Sequence, residues 1–215
     1  NPTNDNTPAL SSNAFSDRDV LDTHGRSQWQ VRTSAGTYAS PAWDSGASTS
    51  LTSISSGALA DGNYCYQVRH ADQALTWSDY SSEQCFNVDT AAPTPVSATG
   101  SATSATSITW TQTAATDAQG HLSPTPYSID TGVPAWQAST TFVSSGLSAN
   151  TQYTRTVRTR DTLGNTATSS VSRYTWPNAP TGLAATVPNW GAGSTYAVQL
   201  NWSAPAGGAT SYNIR

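Results

Sequence analysis

The stretch Phe15–His24, FSDRDVLDTH, sets Asp17, Asp19 and Asp22 within six residues, closing on a histidine, in a chain only 10% charged. Three carboxylates so close can take a hard cation, since calcium binds six to eight oxygens, typically several carboxylates plus backbone carbonyls. The same residues also build turns, because an aspartate side chain caps nearby backbone N–H groups and tolerates unusual φ. His24 fits the second reading better, as a strand-start residue bonded to Asp22, because calcium prefers oxygen. Metal site and turn both stay open at this stage. The elements that hold the loop must decide between them.

Composition removes several other chemistries. All nine basic residues are arginine, thirteen are acidic, and the net charge is −4 with no basic run. A nucleic-acid partner would need a cationic stripe to displace phosphate counterions. The longest apolar runs are a few residues, so none inserts in a bilayer as a helix. Asn1 does not open a signal peptide, and the chain reads as a fragment of something longer. Glu83 is the one glutamate. It sits on a strand with no partner carboxyl, whereas a glycosidase needs two facing carboxyls. No Gly-x-Ser-x-Gly elbow stands between a strand and a helix, and no glycine loop precedes a helix. The segment reads as non-catalytic.

Short alternating runs rich in Val, Thr, Tyr, Trp and Ile recur at roughly ten-residue spacing between Gly, Pro, Asn and Asp clusters, which predicts an all-β sandwich. The clearest strands are 27–33, 63–70, 81–88, 106–113, 151–160 and 196–204. A repeat emerges among them. LADGNYCYQVRHAD and LSANTQYTRTVRTRD share a leucine, a turn, a tyrosine-bearing strand ending in Val-x-Arg, and an aspartate just beyond. SITWTQTAATD and VQLNWSAPAGG share a Trp strand with a loose exit, and VDTAAPTPVSATG and WPNAPTGLAATV read as linkers. Boundaries fall accordingly at 1–89, 90–177 and 178–215.

Units opening on APTGLAATV, with the Trp strand LNWSAP and the segment LSANTQYTRTVRTRDTLGN, resemble fibronectin type III domains of secreted bacterial proteins. The resemblance covers nearly the whole chain and implies tandem antiparallel, immunoglobulin-like sandwiches, the last one incomplete. The first unit lacks the second-strand Trp, and Phe15 is the candidate to fill its place. Tyr64 and Tyr153 fall at the tyrosine-corner position. Alternation along 63–70 puts Tyr64, Tyr66 and Val68 inside and Cys65 outside. A hairpin centred near Leu75 then sets Cys65 opposite Cys85 on an outer face. There the two can form a disulfide, the alternative being two free thiols.

Further site residues come with the resemblance. TWSDYS resembles the Trp-Ser-x-Trp-Ser segment of cytokine-receptor domains, which implies Arg69 stacked between Trp77 and Tyr80 as a cation–π ladder. Trp43, Trp136 and Trp190 are candidates to stack on sugar rings, or else cover sandwich edges. Asp72 and Asp79 fall at the same pole as the opening loop. By analogy with calcium-stiffened adhesin joints, Asp89, Asp117 and Asp161 could share one calcium ion, unless they only hold turns. The implied function is a structural or adhesive spacer of an extracellular or cell-surface protein. Its partners would be neighbouring modules, other copies of the chain or surface glycans. Two alternatives follow: a carbohydrate-binding accessory of a secreted carbohydrate-active enzyme, or a subunit of a filament completed by a neighbour's strand.

Overall fold

The computed structural model describes residues 1–19, 22–130, 135–186 and 198–205, and these are strands and connections with no helix. The chain divides into two compact units. The first comprises Asn1–Pro93 with Thr116–Ser123 and Arg160–Thr166; the second comprises Thr94–Ala115, Pro124–Thr159 and Ala167–Arg215.

In the first unit, a five-stranded sheet runs in the order β1 (Pro2–Thr3), β7 (Gln84–Val88), β6 (Gly62–Asp72), β3 (His24–Thr33) and β4 (Trp43–Asp44). A second sheet pairs β2 (Ala9–Ser11) with β5 (Ser53–Ser55). Successive side chains of a strand point to opposite faces. In β3, Ser27, Trp29 and Val31 are therefore buried, while Gln28, Gln30 and Arg32 lie on the other face. Trp29, Val31, Tyr64, Val68 and Val88 of the large sheet meet Leu10 of the small one in a single core, with Ile54 packed against it. Truncating a buried indole of that kind to alanine costs about 3–5 kcal/mol.

The hairpin between β6 and β7 turns at Leu75, whose φ of 68° is left-handed. Asp72 closes it, its Oδ1 accepting from Thr76 N at 2.8 Å. Pairing from this turn puts Cys65 directly across from Cys85, and the two sulfurs are bonded. Cys65 is buried rather than exposed, because Cys85 lies over it and Arg32 and Glu83 close an ion pair alongside. Phe15 does not enter the core. The core indole is Trp29, one strand later, with Leu10 in the second-strand place, and Phe15 instead stacks half-buried on His24 at 5.0 Å.

In the second unit, β8 (Ala98–Ser104), β9 (Ser107–Gln112) and β11 (Thr141–Ser144) form one sheet in the order β11, β9, β8. The other runs β10 (Leu122–Ile129), β12 (Gln152–Asp161), β13 (Thr166–Tyr174). Trp110 and Val157, both fully buried, face each other in its core with Ile108 and Ile129. Within 178–215 the described residues give a hairpin of β14 (Thr181–Thr186) and β15 (Gln199–Ser203). Apart from Arg18, in the exposed loop after β2, every arginine among the described residues lies within a strand.

Candidate functional site

The opening acidic loop is organised as a turn. Asp17 Oδ1 accepts from Asp19 N at 2.9 Å, and Asp19 O accepts from Asp22 N at 3.0 Å. All three aspartates are exposed, and Val20 and Leu21 between them lie outside the described residues. Partial loss of hydration pushes the Asp22 carboxyl up, helped by the charges of Asp19, Asp72 and Asp17. His24 is not bonded to Asp22. Its Nε2 meets Ser27 Oγ at 2.9 Å and Arg26 O at 3.1 Å, because β3 carries the ring over its own strand.

Carboxylates converge elsewhere. In the first unit, Asp89 Oδ2 lies 2.7 Å from His121 Nδ1, and Asp89 is fully buried. Asp117 joins them through its chain, with Oδ1 accepting from Gln119 N and His121 N, both at 3.0 Å. Ligand-capable atoms of Asp89, Asp117 and His121 fall within 4.8 Å of one another. Asp161 turns away from this trio. Its Oδ1 accepts from Leu163 N at 2.8 Å and Asn165 N at 2.9 Å, closing its own loop. Asn165 then donates from Nδ2 to both Asp161 Oδ2, at 2.7 Å, and Asp89 O, at 2.8 Å. The ligand-capable side chains here, within 4.8 Å of one another, are two carboxylates and an imidazole. They form a hydrogen-bonded clasp over residues 89, 117–121 and 161–165. His121 escaped sequence reasoning because the search followed oxygen ligands.

The outer face of the large sheet carries a polar ladder. The Arg69 guanidinium carbon sits 4.6 Å from the Trp77 ring centroid and 4.8 Å from that of Tyr80. Its Nη2 and Nε donate to Gln28 Oε1 at 2.6 and 3.0 Å, and Tyr80 donates to the same oxygen at 3.2 Å. Gln28 and Gln30 in turn donate to Asp44. Burial raises the Asp44 carboxyl, but hydrogen bonds from Gln30, Gln28 and Gly46 outweigh it and hold the group low.

Of the candidate sugar-stacking rings, Trp43 is half-buried against the first core, and Gly57 lies so close beneath it that a Cβ there would meet the ring at 2.6 Å. Trp136 is half-buried, and Trp190 lies outside the described residues. Among the described residues the most exposed aromatic rings are instead Tyr174 and Trp176, each 54% accessible, flanking a buried Thr175.

A further polar cluster centres on Ser27. Ser27, fully buried, touches Leu51 O at 2.6 Å, His70 Nδ1 at 2.8 Å and His24 Nε2 at 2.9 Å through its hydroxyl oxygen. A carbonyl only accepts, so the one hydroxyl proton goes to Leu51, and both imidazoles donate to Ser27. His70 thereby donates through Nδ1, its Nε2 lies 3.3 Å from Ser12 Oγ, and the Asn13 carbonyl also bonds the ring. Burial, and then neighbouring His24, hold its pKa below the usual imidazole range. Register was the missing signal: Ser27 and His70 face each other only once β3 and β6 are aligned.

No protein-family model matches the chain. It is 32% identical over 177 residues to Exoglucanase B of Cellulomonas fimi, a match covering 74% of this chain and 16% of the exoglucanase. The chain thus corresponds to about a sixth of that relative's length. A solved structure of the FN1-FN3 domains of chicken CNTN1 is 12% identical, covering 81% of this chain and 64% of that one, with a TM-score of 0.42. Two tyrosine corners complete the internal evidence for the fold. Tyr64 donates to Ala60 O at 2.9 Å, and Tyr153 Oη accepts from Ser148 N at 2.8 Å. The chain is built of fibronectin type III-like, immunoglobulin-like β-sandwiches.

Proposed function

We propose that the chain is a non-catalytic spacer segment of a larger extracellular protein. One observation carries this reading: most of the chain matches a minor fraction of a much longer polypeptide. A module reused within a long chain serves position and reach, and fold alone assigns no chemistry to it. The clasp at Asp89 and the ladder at Arg69 suit that role, since both bind the module's polar side chains to one another. The disulfide suits an oxidising, extracellular setting. The test pairs small-angle scattering with an assay on chromogenic glycosides. An elongated particle without turnover supports the spacer; turnover by the purified chain overturns it.

A second reading is favoured by the relative's name. As an accessory module of a carbohydrate-active enzyme, the chain would hold glucan rather than space domains. Co-sedimentation with insoluble glucan tests it. Retention above a bovine albumin control supports the reading, and none opposes it.

A further inference from the structure

The first unit contains an open cleft of about 510 Å³, whose walls include Ser12, Asn13, Tyr66, Val68, His70 and Asp79. That volume is in the range of small-molecule sites. The walls supply no arginine, one carboxylate, and otherwise hydroxyls, amides and an imidazole. Such a lining gives an anion no counter-charge, and offers a neutral polyhydroxylated ligand acceptors and donors on several sides. Tyr66 and Val68 add an apolar wall for C–H groups.

His70 gives the cleft a directed feature. Ser27 fixes the ring so that Nε2 is on the cleft side. The hydroxyl nearest to that nitrogen, Ser12 Oγ, makes its shorter bond to Asn13 O at 2.9 Å, against 3.3 Å to His70. The Asn13 carbonyl also bonds the ring, so His70 has a backbone acceptor beside one long hydroxyl contact. A ring so placed gains from a further partner on the cleft side. A sugar hydroxyl can donate or accept there, and can meet a wall serine at the same time.

We propose that this cleft binds a short saccharide, one hydroxyl hydrogen-bonded to His70 Nε2 and others meeting Asp79 and the serine wall. The proposal deepens the saccharide-binding reading above and rests on it. It differs from stacking on Tyr174 and Trp176, which belong to the second unit.

The experiment is NMR of the whole chain, uniformly ¹⁵N-labelled, titrated with cellobiose, cellotetraose and maltotetraose to about 10 mM, near saturation for a Kd of about 1 mM. Saturable movement of the His70 Nε2 resonance is expected. Asp79→Ala, on an exposed wall, should weaken it about tenfold, the effect of one lost hydrogen bond. Thermal melting of that variant confirms that it folds. Binding that leaves His70 unmoved and shifts Tyr174 and Trp176 overturns the cleft site while sparing the saccharide reading. No binding by any of the three sugars overturns both.

Discussion

His121 Nδ1 meets Asp89 Oδ2 at 2.7 Å, and the carboxylate it meets has no exposure to solvent. Burying a carboxylate costs free energy unless hydrogen bonds replace the lost water. Asp89 has this bond and a longer one from Ala91 N at 3.3 Å. His121→Ala should lower unfolding stability by about 2 kcal/mol, the scale of a hydrogen bond to a charged group. His121→Gln, which can restore an N–H donor, should recover part of the loss. Urea titration of both variants reads this directly, and equal stability of His121→Ala and the parent would remove the clasp from the argument.

The disulfide closes a separation of 20 residues between Cys65 and Cys85. In the chain-entropy model that loop contributes about 3 kcal/mol through the unfolded state. The double Cys65→Ser/Cys85→Ser variant should unfold at lower denaturant by that amount. Added reductant should leave the variant unchanged and weaken only the parent.

Arg69 offers a double-mutant cycle. Its guanidinium faces Trp77 at 4.6 Å, so a coupling of about 0.5–1 kcal/mol between Arg69→Ala and Trp77→Ala is expected for a partly exposed cation–π contact. A coupling of zero would reduce the stack to coincidence. Arg69→Lys should behave nearly as Arg69→Ala, because an ammonium cannot hold Gln28 Oε1 with two parallel N–H groups.

His70 makes stability depend on pH. Its folded pKa is held low by burial and by His24, whereas the unfolded chain titrates at the ordinary value near 6.5. The unfolded state therefore binds the proton first as pH falls, and stability is lost from about 6.5 downward through the lower folded pKa. The groups facing the ring are His24, Ser27, Ser12, the Phe15 ring and the Asn13 carbonyl, which opposes the shift without reversing it, and Asp79 lines the same cleft. Urea midpoints at pH 7.5, 6.5 and 5.5 should decrease in that order, and His70→Gln should flatten the series. A rising series would reverse the sign of the effect.

Where one signal dominated, the sequence was readable. Period-2 runs such as Gln28–Val31 located β3 and β6, and the position of Leu75 fixed their hairpin partner β7. Strand β10 was not read, since Pro124 and Pro126 argue against a strand in general but are tolerated at a sheet edge, where it lies. The sites divide in the same way. Cys65 and Cys85 join neighbouring strands of one sheet, so pairing rules reach them, whereas the Arg69–Trp77 stack was legible through the resemblance of TWSDYS. Asp89 and His121 come from separate segments, and the burial of Cys65 depends on an overlying Arg32–Glu83 pair. No local pattern encodes either relationship.

The placement of the arginines carries a last consequence. The chain has no lysine, so its arginines are the only bonds a trypsin-like protease can address. Among the described residues all but Arg18 are locked into strands, where the backbone cannot adopt the extended loop such an enzyme needs. Digestion of the folded chain should therefore nick first after Arg18 and proceed further only as strands open. A composition that looks merely sparse in charge thus doubles as armour wherever secreted proteases are abundant.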